Sequence, residues 1–415
     1  MSMPGKLKKI GLLIASLGPG MFLVGYNIGT GSVTTAASTG AKYGMTFVWP
    51  LLLSCVFTYI LILAFGRFTV VSGETALSSF RKHFGTPLAI FVLICVVFSE
   101  WVGFMGVMGV VTEVVKEWSR PLTPSGNGVS MVLLSIAFGG LIYYFFWRGT
   151  YKFFESILLI FVSLMGISFV LTMFMVIPDP IDVIKGLVPT IPQESNAALL
   201  IAGMVGTTMG GVLYLVRSIL VQEKGWQIKD LKEEKRDAAV SSTLMFLLSA
   251  AIMACAAGTL YPRGLVVDNA IDMVSLLEPL AGRFAISIFV AGIVSAGLSS
   301  LFPHLLLAPW FLADITGQPR DMKRPLNRGI ALFTVSLGLI IPVFGGRPVL
   351  IMIISQAFAA VVTPIIIILM IILLNKKSLM GEHVATARFN MILGIIFLFT
   401  VFMAATGLYG IKGLL

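Results

Sequence analysis

The sequence predicts an all-α polytopic membrane protein of eleven transmembrane helices. Two inverted five-helix repeats are followed by one added helix, and helices 1 and 6 are broken. Three observations predict this. The 415 residues are 57% hydrophobic and only 12% charged, whereas a soluble chain carries roughly 25% charged residues. Eleven stretches are apolar over the length a bilayer requires, about 20 residues. Two of them, five spans apart, carry matching glycine clusters.

The composition excludes a soluble fold, a nucleic-acid binder and a disordered chain. The net charge of +10 does not imply a polyanionic partner, because membrane proteins collect Lys and Arg in their cytoplasmic loops. Cys55, Cys95 and Cys255 all lie in apolar runs and form no C-x-x-C pair, so no disulfide framework is implied. His83, His304 and His383 are scattered. No H-E-x-x-H, Walker, G-x-S-x-G or dinucleotide-binding pattern occurs, which argues against an ATP-driven pump or an enzyme. No cofactor is called for. The partners expected are a small substrate and membrane lipids, with no obligate protein partner.

The spans fall at about 10–43, 45–68, 88–116, 129–147, 153–176, 197–222, 238–260, 283–312, 329–345, 348–374 and 389–411. Residues 1–415 form one transmembrane domain, with repeats at 10–176 and 197–374 and the added helix at 389–411. The Lys-rich start (Lys6, Lys8, Lys9) runs into apolar residues without a small-residue cleavage site, so it reads as a first span. With the N-terminus inside, 20 Lys and Arg fall in cytoplasmic segments and 8 in outer ones, with Arg217 left inside span 6. This bias places the N-terminus in the cytoplasm and the C-terminus outside. The compartment expected is a bacterial inner membrane. The mixed-sign run Lys229 to Asp237 reads as a solvated loop helix.

Span 1 holds Gly25-Tyr26-Asn27-Ile28-Gly29-Thr30-Gly31-Ser32, and span 6 holds Gly203 and Gly206-Thr207-Thr208-Met209-Gly210-Gly211. Gly costs about 1 kcal/mol relative to Ala in a helix interior, so the clusters predict unwound stretches. Glycines also serve close helix packing, and each cluster alone is open to that reading. Paired breaks at corresponding positions point to an inverted-repeat transporter with its site between Gly29–Ser32 and Thr207–Gly211.

These residues resemble the NRAMP family of divalent-metal transporters over nearly the whole chain. Gly18-Pro19 looks like that family's opening of helix 1, and Gly40-Ala41-Lys42-Tyr43-Gly44 like its helix 1–2 turn. Arg67 with Gly73, Gly149 to Glu155, Gly186-Leu187-Val188-Pro189 with Pro192, and Leu220-Val221-Gln222 follow in order. So do Gly297-Leu298-Ser299-Ser300, Ser355-Gln356 with Pro364, and Leu379-Met380-Gly381-Glu382. The resemblance implies the LeuT-type fold and alternating access.

The resemblance also marks departures. The family's metal-ligating Asp and Asn fall on Gly29 and Ser32, its ligating Met on Gly210, and its helix 6 histidines on Val212 and Arg217. Glu100 fits a family Glu, while two further helix 3 carboxylates linked to proton movement fall on Val107 and Val110. A bare divalent cation needs oxygen or sulfur ligands and compensating charge. Helix N-termini near Gly31 and Gly211 instead offer free N–H groups and partial positive charge.

The sequence-based expectation is therefore a site for a small carboxylate anion or its metal complex, such as metal–citrate. Its candidate residues are Gly29, Thr30, Gly31, Ser32, Thr35, Thr207, Thr208, Gly210, Gly211, Tyr214, Arg217 and Gln356. Arg217 would pair a substrate carboxylate, or else pair with Glu100 or reach the cytoplasmic face. Tyr214, one turn away, would line the same cavity. Glu100 and His304 are candidate coupling groups, each open to a purely structural reading. The alternatives are a transporter of free divalent ions such as Mg²⁺ or Mn²⁺ with a relaxed, hydrated site, and an amino-acid transporter.

Overall fold

The computed structural model describes residues 18–148, 151–176, 178–190, 195–267, 269–276 and 285–413. Lys6, Lys8 and Lys9, the start of span 1, Gly149 and Thr150, Pro192 and Arg283 lie outside the described residues. No strand occurs among the described residues.

Span 1 is two helices, α1 (Gly18–Asn27) and α2 (Thr30–Tyr43). The chain then forms α3 (Val48–Ser72), a short α4 (Ala76–Phe84) and the long α5 (Thr86–Ser119). Next come α6 (Met131–Arg148), α7 (Tyr151–Val176) and a surface turn of helix, α8 (Pro180–Lys185). Span 6 is again split, into α9 (Ser195–Met209) and α10 (Gly211–Lys224). The remainder is α11 (Leu231–Thr259), α12 (Ala285–Thr316), α13 (Pro325–Leu337), α14 (Ile340–Phe344), α15 (Pro348–Leu374), α16 (Lys377–Met380) and α17 (Ala387–Lys412).

Nine helical segments among the described residues are long and apolar enough to cross a membrane. Predicted spans 1 and 5 are not among them. Span 1 starts outside the described residues and its two described pieces are 10 and 14 residues long, and for span 5 the segment Gly166–Val176 stands as a shorter apolar helix. The count of eleven rests on the sequence at those two places.

The split helices form the centre. In α2, every residue from Thr30 to Ala41 is buried, and the window of span 6 is 94% buried. By contrast α17 shows Met391, Ile395, Leu398 and Phe402 on its outer face. That pattern suits a helix whose exterior meets acyl chains rather than water. Around the split helices, α5 packs against α15 and α12, α9 against α15 and α17, and α2 against α11.

One glycine sets the α9–α15 approach. A Cβ on Gly206 would lie 1.7 Å from the Gln356 carbonyl oxygen, so only Gly lets the two backbones meet. At this position the packing reading of the glycine cluster holds.

Candidate functional site

The breaks are shorter than the glycine clusters suggest. In span 1 only Ile28 and Gly29 leave the helix, Gly29 being extended (φ −96°, ψ −169°), while Thr30, Gly31 and Ser32 already form the first turn of α2. In span 6 the break is Gly210 alone, with Thr207 and Thr208 in the last turn of α9.

The two breaks are tied to each other. The Asn27 amide donates to the Thr207 carbonyl, and the Ser32 and Thr207 hydroxyls meet at 2.9 Å. The Ser32 hydroxyl also reaches the Asn27 carbonyl, satisfying an acceptor that the end of α1 leaves free.

Beside the breaks lies a cavity of ≈ 40 Å³. Its walls come from five places. Tyr26, Asn27, Gly29 and Gly31 line it from the first break, and Gly206, Thr207, Gly210, Val212 and Leu213 from the second. Helix α5 contributes Ser99, Glu100, Gly103 and Val107, α12 contributes Ser300 and His304, and α15 contributes Met352, Ser355, Gln356 and Ala359. No Lys or Arg lines it among the described residues. Reciprocal bonds between Ser99 and Ser355, each hydroxyl donating to the other's carbonyl, stitch α5 to α15 on this wall.

One side of the cavity is a Tyr–Glu–His cluster. The Tyr26 hydroxyl donates to Glu100 Oε1 at 2.7 Å. His304 Nε2 stands 3.5 Å from Glu100 Oε2, and its Nδ1 lies 2.6 Å from the Ser300 carbonyl. Glu100 is 6% exposed. Two oxygens of cavity-lining residues, Glu100 Oε2 and Asn27 Oδ1, are buried without a hydrogen-bond partner. An unpaired buried polar atom costs about 1–3 kcal/mol, and both of these atoms are acceptors.

Of the twelve residues the sequence nominates for binding, Gly29, Gly31, Thr207, Gly210 and Gln356 line this cavity. Thr30 and Ser32 are buried in the adjoining turn. The other five turn away, each for a visible reason. Thr35 sits a further turn along α2, its methyl 3.4 Å from where a Cβ on Gly203 would stand. Thr208 donates to the Met204 carbonyl, and its own carbonyl takes the Thr58 hydroxyl. Gly211 gives its N–H to Thr363 Oγ1 at 2.8 Å, so the α10 N-terminus is capped by α15. Tyr214 is fully buried, with its hydroxyl 3.1 Å from that of Thr58 and its ring against Phe65.

Arg217 is the largest correction. It is fully buried and pairs with Asp237 and, at 3.0 Å, with Glu234, while its guanidinium lies 5.4 Å from the Trp226 ring centroid. Asp237 Oδ1 also accepts the Gly20 N–H at 3.0 Å, which docks the start of α1. Glu234 and Asp237 belong to the run read as a solvated loop helix, yet they are 2% and 1% exposed. The run spans the end of a 3-10 turn (Ile228–Asp230) and the first two turns of α11, with one face turned inward. Charge sign along the sequence shows an exposed face, but not which of its acids meets a buried base. Glycine at the first break also answers close packing, since a Cβ on Gly29 would lie 2.0 Å from Ser300 Oγ.

Sequence reasoning passed over Tyr26, Asn27, Ser99, Ser300, Met352 and Ser355. Asn27 was within reach, because it is the lone side-chain amide in the glycine-rich stretch of span 1.

A family model described as natural resistance-associated macrophage protein-like matches residues 20–410. The chain is 25% identical to the divalent metal cation transporter MntH of Listeria welshimeri, across 96% of this chain and 92% of that protein. It is 26% identical to the MntH of Clostridium acetobutylicum over a shorter stretch, 51% of this chain and 48% of the relative. Its structure superposes on a mutant form of the manganese transporter of Eremococcus coleocola with a TM-score of 0.70 at 15% identity, covering 96% and 85% of the two chains. That likeness shows a shared LeuT-type fold, with its two broken helices facing one another. With the family model matched from the first turn of α1 to the last of α17, the chain belongs to the NRAMP family of membrane transporters.

Proposed function

We propose that this transporter carries a divalent metal cation by alternating access and admits it partly hydrated. The observation that carries the reading is the cavity's surplus of acceptors. Glu100 Oε2 and Asn27 Oδ1 are buried without a hydrogen-bond partner, and no Lys or Arg lines the walls among the described residues. Hard divalent cations take oxygen ligands and readily keep waters in place of protein atoms. A ≈ 40 Å³ cavity has room for about three waters at roughly 10–15 Å³ each. Relatives named as divalent metal cation transporters support the same substrate class.

The carboxylate or metal–citrate substrate expected from the sequence loses its cationic partner and one of its two helix N-termini. Arg217 is already paired with Glu234 and Asp237, and the Gly211 N–H is already given to Thr363. With the N-terminus cytoplasmic, as the charge bias implies, the setting is a bacterial inner membrane.

The test is thermal stabilisation of the purified full chain by Mn²⁺, by Mg²⁺, by citrate, and by metal with citrate. A ligand at 100 times its Kd stabilises the folded state by about 2.7 kcal/mol. Stabilisation by metal alone, weakened when citrate chelates the metal, is the expected result. Stabilisation by citrate or metal–citrate without any response to metal alone would return the protein to the anion class.

A further inference from the structure

We infer that the cation is held on the α5–α12 wall, between Glu100 and His304, and that the imidazole makes the site prefer Co²⁺ and Zn²⁺ over Mg²⁺ and Ca²⁺. The inference rests on the cation reading above and assigns a ligand set to it.

Four observations place the site there. First, Tyr26 occupies Glu100 Oε1 at 2.7 Å and leaves Oε2 without a partner in a nine-tenths buried side chain. Second, His304 Nε2 is 3.5 Å from Oε2. A nitrogen–oxygen hydrogen bond spans about 2.7–3.2 Å, so this gap is too wide for a good one. Two ligands bound to one ion at about 2.0–2.2 Å and a tetrahedral angle sit roughly 3.4 Å apart, which the gap matches.

Third, His304 Nδ1 is 2.6 Å from the Ser300 carbonyl. A carbonyl only accepts, so Nδ1 carries a hydrogen, and in the neutral form of the ring Nε2 presents its lone pair to Glu100. Metal-binding histidines are oriented in the same way, by giving the other ring N–H to a carbonyl or carboxylate. Fourth, Glu100 and His304 line the same cavity as Asn27, whose Oδ1 is also unpaired. That amide oxygen and water can complete the coordination.

This donor set differs in kind from an all-oxygen one. Mg²⁺ and Ca²⁺ are hard ions that favour oxygen, whereas imidazole suits later first-row metals. The chain thus makes a cation site from a helix pair beside the breaks, where Gly29 and Gly210 have no side chain to offer.

The test uses the full chain in detergent and reads Mg²⁺, Ca²⁺, Mn²⁺, Co²⁺ and Zn²⁺ binding by calorimetry, for the wild type and His304→Gln. The wild type is expected to bind Co²⁺ and Zn²⁺ more tightly than Mg²⁺. His304→Gln is expected to weaken Co²⁺ and Zn²⁺ by about tenfold or more, in the range that even outer-shell changes produce, with Mg²⁺ little changed. The visible absorption of Co²⁺ bound to the wild type needs no variant and should show nitrogen in its coordination. Equal affinities in the two proteins, or a Co²⁺ spectrum of an all-oxygen site, would overturn this inference and leave the cation reading standing. Failure of every divalent ion to bind would overturn both.

Discussion

Two buried ionic clusters involve the broken helices, and they differ in how their carboxylates are paired. In the Arg217 cluster, one guanidinium meets two carboxylates, and the second carboxylate oxygen of Asp237 takes the Gly20 N–H. It borders no part of the central cavity. In the Glu100 cluster, Tyr26 holds one oxygen, and the other has no hydrogen-bond partner and stands 3.5 Å from His304 Nε2. An ionisable group at membrane depth is expensive, by at least ~2.5 kcal/mol on insertion scales, so its partners reveal its purpose. The Arg217 cluster leaves a donor, Arg217 Nε, without a hydrogen-bond partner, whereas the Glu100 cluster leaves an acceptor on a residue that lines the cavity, and that acceptor is the one the proposed cation would use.

The comparison breaks most visibly at Arg217. Arg217→Ala strands Glu234 and Asp237 in the interior, and removing one partner of a buried pair costs about 3–5 kcal/mol. A large fall in melting temperature is expected, with metal preference unaltered in whatever protein stays folded. Unchanged stability, together with lost transport, would mean that Arg217 serves the substrate after all. Asp237→Asn is milder, since the amide keeps an oxygen for Gly20 but loses the charge facing Arg217. Hydrogen bonds to charged groups contribute about 1.5–3 kcal/mol. A melting temperature insensitive to this change would show that α1 is not docked through Asp237.

Glu100→Gln tests the other cluster and should separate stability from function. The Tyr26 hydroxyl can still donate to the amide oxygen, so the fold is expected to lose little. Divalent-metal uptake into liposomes should fall by about tenfold or more, which corresponds to about 1.4 kcal/mol of binding. Full uptake in this variant would place the cation elsewhere in the cavity.

How far the sequence reaches follows from the length scale of each signal. The helices, the broken spans and the family were legible because 20-residue apolar runs and ordered motifs are long patterns. The breaks were legible in position but not in extent, since a glycine cluster does not say which glycine leaves the helix. Gly210 does so, whereas Gly206 packs against the Gln356 carbonyl. The partner of Arg217 was hidden for a different reason. Glu234 and Asp237 are near in sequence but lie in a run of mixed charge, and the turn between α10 and α11 brings their face to Arg217. His304 and Glu100 are 204 positions apart by their numbers, 304 − 100. No periodicity links them, and their meeting is a property of how α5 packs on α12.

The smallest expected effect sharpens the contrast between the two breaks themselves. Thr363 Oγ1 accepts from Gly211 at 2.8 Å, while its one hydrogen faces the Ala359 carbonyl at 2.8 Å and the Met209 carbonyl at 3.2 Å, so a hydroxyl from α15 caps α10 and lies beside the end of α9. The first break has no such cap, as Gly29 offers no side chain to the first turn of α2. Losing an N-cap costs about 0.5–2 kcal/mol. Thr363→Val keeps the shape and removes the hydroxyl, so a modest fall in melting temperature is expected with uptake of the cation retained. If an anion such as citrate then stabilises the variant and not the wild type, the uncapped α10 N-terminus is a latent anion site that Thr363 normally fills. If it does not, the hydroxyl acts only to close the helix end, and the cavity's ligand chemistry lies with the acceptors around Glu100.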